Sequence, residues 1–399
     1  MNDYTHRLGT ATLSVTGSNG PGTPVSVEQV AHSVGIGNIG FELMDVAADG
    51  APASDLVEPF LALFNQVTLG FYWRIFEPQE GAPDTERLLK AAKWFKDRGV
   101  RTKGHPLAWH TLAPQWLLGR DLDEVEKTLR ARITREASAF AGLVDHWDAI
   151  NEAVIMPRFT AEYNAITPLA QKLGRVEMVR LAFDTAREAN PNAKLVLNDF
   201  LLTEEYAQLI EDCLAAGIQI DALGLQTHMH QGFRGEDELG EILERFGKFG
   251  LPLQFTETTL VSGELMPEHI VDLNDYQVDD WPSTPEGEER QADEILRHYS
   301  TVFAHPLVES VTYWGFCDRE MWLGAPAGFL RKDGSPKPAY EALDSLVHGE
   351  WWLSPTEVVT GEDGTVNVSG WGGTYRATVD GTTTEFTIES GKATAVELA

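Results

Sequence analysis

Nine residues decide the fold: HWDAINEAV, residues 146–154. The part from Trp147 to Ile150 is a short apolar run with a single acid, a pattern typical of a β-strand that is buried on both faces. The run ends in Asn151 and Glu152, an amide beside a carboxyl group. In a barrel of parallel strands the carboxyl ends of the strands carry the chemistry, so we expect a functional glutamate at this strand end.

The same arrangement recurs in a second stretch, LPLQFTETTL (251–260), where an apolar run leads to Glu257. Enzymes that cleave glycosidic bonds use two carboxyl groups, one of them as a proton donor. Two glutamates at two strand ends therefore predict a sugar-cleaving enzyme.

Strand and helix patterns alternate around these two stretches and predict a (β/α)8 TIM barrel of the α/β class over residues 35–348. The predicted strands are 36–44, 66–74, 100–110, 147–152, 194–200, 222–230, 251–260 and 311–318. The predicted helices, recognised by apolar residues at helical spacing, are 53–64, 85–99, 122–142, 168–189, 203–217, 288–304 and 336–347. A long segment rich in Pro and Asp, residues 262–286, is predicted to be an insertion.

Both ends of the chain differ from the barrel pattern. Residues 1–34 are typical of a β-hairpin or extension, and residues 349–399 contain short strand-like runs between Gly, Asp and Thr turns, as in an antiparallel meander. Because the termini of a domain tend to lie close together, we expect both segments to form one small β module. An alternative is a carbohydrate-binding module that uses Trp371, Tyr375 and Phe386, although a packing role is favoured.

Composition restricts the partners of the protein. Hydrophobic residues make up 43% and charged residues 23% of the 399 residues, which is ordinary for a globular protein. The formal net charge of −30 is unusual, and such a surface repels nucleic acid and anionic lipid. We therefore expect a neutral ligand, no nucleic acid and no membrane partner.

The sequence also has no pattern typical of a metal site, a membrane span or a signal peptide. Cys213 and Cys317 lack the spacing of a metal site, and no run of 18 apolar residues predicts a membrane span. The N-terminal MNDYTHRLGT has no apolar signal core. We expect a cytoplasmic protein, or a secreted one whose signal has been removed, without a metal or an organic cofactor. The sequence leaves the oligomeric state open.

Polar and aromatic residues are concentrated at the predicted strand ends. They are His105, Trp109, His110, Asn151, Glu152, Asn198, Asp199, Gln226, His228, His230, Glu257, Trp314, Asp318 and Trp322. Each has an ordinary structural explanation when taken alone, but their common position at the functional face of a barrel favours a binding site. Aromatic faces for stacking, together with amide and carboxyl groups for hydroxyls, are what a sugar ring requires.

Glycoside cleavage gives the two glutamates different tasks. One must be protonated to donate to the leaving oxygen, and the other must be charged to attack the anomeric carbon. Crowding between the two carboxyl groups keeps the pKa of the acid high while its partner is ionised. Asn151, beside Glu152, is a candidate to bind the 2-hydroxyl of the substrate.

Six ordered motifs resemble the signatures of glycoside hydrolase family 10, the retaining endo-xylanases. They are GHPLAWH (104–110), WDAINEAV (147–154), LNDF (197–200), LQTHMH (225–230), FTE (255–257) and YWGFCDREMWL (313–323). The resemblance implies that Glu152 is the acid/base, Glu257 the nucleophile and Asn151 the amide beside the acid. It places His105, Trp109, His110, Gln226, His228, Trp314 and Trp322 at sugar-contacting positions.

Two departures from the family pattern concern binding rather than catalysis. The family's second strand carries a Glu-Asn pair followed by Lys-Trp, whereas LGFYWRIFEP (69–78) lacks the pair, and Arg74 is our candidate to replace the lysine. The family's Leu-Asp after the nucleophile, in which the aspartate supports the neighbouring histidine, is replaced by Thr258 and Thr259.

The favoured hypothesis is a retaining β-glycosidase acting on β-1,4-xylan or xylo-oligosaccharides through a covalent glycosyl-enzyme. A hydrolase of another β-glycan or of an aglycone-bearing glycoside is an alternative, as is a sugar-binding barrel without activity, which would not need both glutamates. A metal-dependent hydrolase, prompted by His228 and His230, lacks further ligands in the sequence. The sugar, and attack at internal bonds or at chain ends, stay open.

Overall fold

The computed structural model describes residues 2–15, 20–52 and 54–398. Within them the strands are β1 (Leu8–Val15), β2 (Pro24–His32), β3 (Gly35–Ile39), β4 (Gln66–Gly70), β5 (Arg101–His105), β6 (His146–Asn151), β7 (Lys194–Asp199), β8 (Ala222–Leu225), β9 (His228–Met229), β10 (Leu253–Leu260), β11 (Val308–Tyr313), β12 (Thr356–Val359), β13 (Thr365–Trp371), β14 (Gly373–Val379), β15 (Thr382–Ile388) and β16 (Ala393–Leu398). None of the helices in these ranges is long and apolar enough to cross a membrane.

The α-helices of the same ranges lie mostly between the strands. They are α1 (Met44–Ala47), α2 (Val57–Leu63), α3 (Trp73–Phe76), α4 (Thr85–Lys96), α5 (Leu122–Ala139), α6 (Ile166–Leu173), α7 (Arg175–Ala189), α8 (Glu204–Ala215), α9 (Gly235–Gly247), α10 (Pro285–Phe303) and α11 (Pro338–Asp344). A π-helical turn, Ser345–Glu350, follows the last of them.

Eight parallel strands of the described chain close into a barrel. Their order is β3, β4, β5, β6, β7, β8, β10 and β11, and β11 pairs with both β10 and β3. The strands are buried on both faces because helices cover the outside and side chains fill the interior, as in β7, where five of six residues are buried. The predicted (β/α)8 barrel is confirmed.

Three segments differ from the sequence prediction. The predicted strand 66–74 ends at Gly70, and its last two residues begin helix α3. The predicted helix 168–189 is divided into α6 and α7 at Gly174, whose φ of 82° favours glycine. Helix α9 was not predicted, although its buried face repeats at helical spacing through Leu239, Ile242, Leu243 and Phe246. Its three glycines, at 235, 240 and 247, lower the helix propensity of the segment.

The small β module is confirmed, but its connectivity differs from the predicted hairpin and meander. Strand β1 pairs with β13 and, in parallel, with β16, whereas β2 pairs with β12 and β14. The two N-terminal strands therefore lie in different sheets, each among C-terminal strands. Residues 16–19, in the predicted hairpin turn, lie outside the described residues, as does Ala53 at the start of the predicted helix 53–64.

Of the three aromatic rings considered as a sugar platform, two are buried and the third, Trp371, is half-buried. Tyr375 is fully buried and its ring stacks on Phe386 at 5.6 Å between centroids. Trp371 packs against Tyr4 and Phe303, each with its ring centroid 6.0 Å away. These contacts contradict the alternative of a carbohydrate-binding surface built on the three rings.

The module is attached at the amino ends of the barrel strands. The Arg7 guanidinium, which is 6% exposed, donates hydrogen bonds to the carbonyl oxygens of Phe303, His305 and Val308, at 2.7–2.9 Å. Val308 begins β11, so this contact lies at the end opposite the carboxyl ends of the strands. The predicted domain limits at residues 34 and 348 stay a prediction.

Candidate active site

The carboxyl end of β6 presents Glu152 in a constrained backbone conformation. Its φ is 57°, a value that few glutamates adopt, and its amide donates to the Asn198 carbonyl at 2.8 Å. The indole Nε1 of Trp109 donates to Glu152 Oε2 at 2.9 Å, and Asn151 Nδ2 donates to Oε1 at 3.3 Å. Backbone strain of this kind concentrates at functional positions.

The surroundings of Glu152 favour its protonated form. Burial raises the pKa of this carboxyl group to about 8, and the charges of Glu257 and Asp199 act in the same direction. The hydrogen bond from Trp109 opposes the shift without cancelling it. At neutral pH, Glu152 is therefore suited to donate a proton.

Glu257, near the carboxyl end of β10, has the opposite tendency. Burial alone would raise its pKa, but the charge of His105 and the hydrogen bond and charge of His228 outweigh burial and lower it below its ordinary value. Asn198 Nδ2 lies 2.8 Å from Oε1, and His228 Nε2 lies 3.2 Å from Oε2. The carboxylate is thus kept ionised and oriented.

A chain of amides connects the two glutamates. Asn198 Nδ2 lies 2.8 Å from both Glu257 Oε1 and Asn151 Oδ1, and Gln226 Nε2 donates to the same Asn151 oxygen at 3.0 Å. Asn198 is itself held by Thr256 Oγ1, which donates to its Oδ1 at 2.6 Å. The network joins β6, β7, the β8 end and β10, and it fixes Asn151 with its Nδ2 group towards Glu152.

His105 is oriented by a buried ion pair, Lys103 and Asp148, that the sequence analysis did not select as site residues. Its Nδ1 lies 2.8 Å from Asp148 Oδ2, and Lys103 Nζ lies 2.8 Å from Asp148 Oδ1. Both partners are 1% exposed. Asp148 is the single acid of the stretch WDAIN. An ionisable group inside such an apolar run was the sequence signal that could have identified Asp148 as a site residue.

Trp314 and Trp322 lie beside the histidines that flank Glu257. The Trp314 ring is 5.2 Å from the His105 ring, and the Trp322 ring is 4.9 Å from the His228 ring. Trp322 is held by Asn274 of the predicted insertion, whose Oδ1 accepts from the indole at 3.3 Å. The tryptophans thus form apolar walls next to the carboxylate.

Two further histidines of the predicted set are buried without hydrogen-bond partners among the described residues. His110 lies 4.2 Å from the Phe159 ring, with its Nε2 3.8 Å from Glu152 Oε2, and burial lowers its pKa to about 3. His230 lies between Trp281 and Trp322. Residues 2–15, 20–52 and 54–398 contain no group of three or more His, Cys, Asp or Glu side chains that could hold a metal ion.

The model of glycosyl hydrolase family 10 matches residues 27–346. The chain belongs to this family. Its relatives include the endo-1,4-beta-xylanase B of Thermotoga neapolitana, 26% identical over 71% of this chain and 81% of that protein, and the endo-1,4-beta-xylanase of Geobacillus stearothermophilus, 28% identical over 62% of this chain and 75% of that protein. The anti-sigma-I factor RsgI6 of Acetivibrio thermocellus is 26% identical, and the match spans only 36% of its length.

Solved structures of the family have the same fold. The family 10 structure from Paenibacillus barcinonensis matches with a TM-score of 0.67 and 23% identity, over 79% of this chain and 96% of that one. Xylanase 10B from Thermotoga petrophila in complex with xylobiose matches with a TM-score of 0.64 and 23% identity, over 80% and 95%. This family 10 chain is therefore a glycoside hydrolase with a TIM barrel.

The replacement of the family's Leu-Asp by Thr258 and Thr259 is structurally compensated. His228 Nδ1 lies 3.0 Å from Thr259 Oγ1, so a threonine hydroxyl holds the imidazole where the family pattern has an aspartate. The orientation of His228 towards Glu257 is kept without a second negative charge.

The loss of the Glu-Asn pair changes which residue after β4 reaches the site. Arg74 pairs with Glu162 and donates to the Ala113 carbonyl oxygen, so none of its described contacts is with the two glutamates. Tyr72, which lies between β4 and α3, is 5.6 Å from the His105 ring and 5.8 Å from the Trp109 ring. The sequence prediction for Arg74 therefore has no support in these contacts.

Proposed function

We propose that the protein hydrolyses β-1,4-linked xylan or xylo-oligosaccharides with retention of anomeric configuration. The observation that carries this proposal is the pair of buried glutamates whose pKa values are shifted in opposite directions, to about 8 for Glu152 and downwards for Glu257. The relatives named endo-1,4-beta-xylanases support the substrate class. A neutral polysaccharide also suits a protein with a net charge of −30.

The first step forms a covalent intermediate. The carboxylate of Glu257 bonds to the anomeric carbon while the bond from that carbon to the leaving oxygen breaks and its electron pair stays on the oxygen. Glu152 gives its proton to this oxygen, so the leaving sugar departs as a neutral alcohol. Asn151 is placed to bind the 2-hydroxyl, where hydrogen bonds strengthen in the transition state.

The second step releases the sugar. Glu152, now ionised, removes a proton from water, and the water oxygen bonds to the anomeric carbon as the ester bond to Glu257 breaks. The histidines and amides around Glu257 stabilise the returning carboxylate. Two inversions at one carbon give net retention, and the reaction leaves both glutamates in their starting protonation states.

Six of the other predicted residues have supporting roles in this proposal. Trp109 orients Glu152, whereas Asn198 and His228 orient Glu257. Gln226 fixes Asn151, and Trp314 and Trp322 supply faces for the sugar rings.

The experiment is the hydrolysis of xylohexaose, with products identified by mass and the first-formed anomer identified by proton NMR. We expect shorter xylo-oligosaccharides whose new reducing ends are initially β. An initial α-anomer would contradict the retaining mechanism. If xylohexaose stays intact while a β-glucan or a mannan is cleaved rapidly, the proposed substrate class is contradicted.

A further inference from the structure

The mouth of the barrel has two chemically different sides. The ends of β6, β7, β8 and β10 carry carboxyl, amide and imidazole groups: Asn151, Glu152, Asn198, Gln226, His228 and Glu257. The ends of β3, β4 and β11 carry three aromatic rings that adjoin one another. Phe41 lies 5.9 Å from both Tyr72 and Trp314, measured between ring centroids.

This aromatic group lies on the side of the nucleophile. Tyr72 and Trp314 both contact the His105 ring, at 5.6 and 5.2 Å, and His105 Nδ1 is 3.9 Å from Glu257 Oε1. Trp314 also lies 6.4 Å from the ring of His228, the hydrogen-bond partner of Glu257. Because the sugar on the glycone side becomes bonded to Glu257, the aromatic group encloses the glycone.

The polar side chains beneath the aromatic group are occupied by the protein itself. Glu42 accepts hydrogen bonds from the Cys317 amide with both carboxyl oxygens, at 3.1 Å. Asn38 Nδ2 donates to the Gly315 carbonyl at 3.1 Å, and its Oδ1 accepts from backbone amides. Both side chains are thus engaged with backbone groups of the protein.

Tyr72 differs from its neighbours on the same loop. Phe71 and Trp73 are 0% and 3% exposed and lie in the core, and the Trp73 indole donates to Glu77. The Tyr72 hydroxyl forms no hydrogen bond with any residue of the described ranges. Burial, followed by the charges of Glu257 and Glu152, raises its pKa well above the ordinary value, so the phenol remains a proton donor.

We propose that Tyr72 is the specificity-determining residue of the glycone site, where its ring and its hydroxyl hold one terminal sugar unit. The ring closes the site beside His105 and Trp109, and the hydroxyl donates a hydrogen bond to a hydroxyl of the sugar. A second glycone unit meets aromatic faces, and the nearby Asn38 and Glu42 side chains are already bonded to backbone groups. Stacking alone tolerates many ligands, whereas buried polar partners discriminate between them.

The inference rests on the proposed function and adds a preference of the enzyme for the length of the substrate's glycone part. Extension of the glycone should contribute little to binding of the transition state, so xylo-oligosaccharides should be positioned mainly through their leaving-group side. The enzyme should then release mainly the terminal xylose from the non-reducing end of short oligosaccharides.

The first test compares kcat/KM for 4-nitrophenyl β-xyloside and 4-nitrophenyl β-xylobioside, which differ only by one glycone unit. We expect the longer substrate to be favoured by less than about tenfold, the factor that one net hydrogen bond contributes at most. A gain of a hundredfold or more would overturn this inference alone. No cleavage of either glycoside, or of xylan, would overturn the proposed function together with the inference.

The second test removes the hydroxyl and keeps the ring. Tyr72→Phe should lower kcat/KM for 4-nitrophenyl β-xyloside by about three- to tenfold, with an unchanged melting temperature, because one hydrogen bond to the sugar is lost. Tyr163→Phe is the matched control, since this tyrosine is 78% exposed and should leave kcat/KM unchanged. Equal kcat/KM values for wild type, Tyr72→Phe and the control would overturn the inference.

Discussion

Glu152 and Glu257 belong to one buried hydrogen-bond network, yet their surroundings favour the protonated form of Glu152 and the ionised form of Glu257. Burial acts on both carboxyl groups, and the difference arises from their partners. Imidazole groups compensate burial at Glu257, whereas the neutral Trp109 indole compensates it only partly at Glu152. The division of roles therefore follows from side chains on β5, β9 and the loops beside them.

The pH dependence follows from these shifts. Glu257 must be ionised, so activity is lost as the pH falls through its pKa, which lies below 4.5; Glu152 must be protonated, so activity is lost as the pH rises through about 8. We expect a bell-shaped profile of kcat/KM with a basic limb near pH 8. Trp109→Phe should move this limb to higher pH, because the hydrogen bond that lowers the pKa of Glu152 is removed. An unmoved limb would contradict the assignment of Glu152.

Alanine substitutions separate the two roles. Glu257→Ala should abolish hydrolysis of every glycoside, because no nucleophile remains. Glu152→Ala should retain activity on aryl glycosides with good leaving groups, which need little protonation, while losing natural oligosaccharides by about 100-fold or more. The measurement is kcat/KM on a dinitrophenyl xyloside and on xylotriose. Equal losses of Glu152→Ala on both substrates would contradict its role as the acid.

Strand-end position was a good predictor of individual site residues, but side-chain direction was not available from the sequence. Asn151, Asn198, Gln226 and His228 were selected because each follows a buried strand, and the structure brings all four together. Arg74 was selected for its charge, but it lies in α3, where Glu162 and a backbone carbonyl bind it.

At the scale of the element, strand β8 has a glycine, Gly224, next to the Asn198 side chain of the neighbouring strand β7. A Cβ on Gly224 would lie 2.3 Å from Asn198 Oδ1, a distance that requires Asn198 to move. Gly224→Ala should therefore lower kcat by at least about tenfold through Asn198 and Glu257, since an orienting hydrogen bond is lost. The kinetics should be measured on protein whose circular dichroism matches the wild type.

A helix glycine gives the matched control for this substitution. Gly240 in α9 has no atom within 4 Å of an added Cβ, so Gly240→Ala should keep kcat and raise stability by up to about 1 kcal/mol. Wild-type kcat in Gly224→Ala would contradict the role of β8 in orienting Asn198.

Most elements were predicted from periodicity, whereas one helix was missed although its periodicity is clear. Barrel strands such as β7 were recognised because buried parallel strands are runs of mostly apolar residues, although β5 (RTKGH) has no such run. Helix α9 was missed because its three glycines, at 235, 240 and 247, lower the helix propensity of the segment. The pairing of β1 and β2 with C-terminal strands depends on contacts across more than 300 residues, which alternation along a single strand does not specify.

For the whole molecule, the contact between the β module and the barrel should contribute to stability and not to chemistry. Arg7→Met removes the donor to three carbonyl oxygens, and each buried acceptor left unpaired costs roughly 1–3 kcal/mol. We expect the melting temperature to fall by several degrees, with kcat at 25 °C unchanged. Arg98→Met, in which an exposed arginine is replaced, is the control. A large loss of kcat in folded Arg7→Met protein would contradict the separation of module and site.

The central claim for the molecule is a covalent bond between the sugar and Glu257. The most direct measurement is incubation with 2,4-dinitrophenyl 2-deoxy-2-fluoro-β-xyloside, whose fluorine slows the second step, followed by intact mass and peptide mass spectrometry. We predict a mass increase of one fluoroxylosyl group, located on the peptide that contains Glu257 and absent from Glu257→Ala. Turnover of ordinary xylosides without any adduct, or an adduct on another residue, would contradict the account.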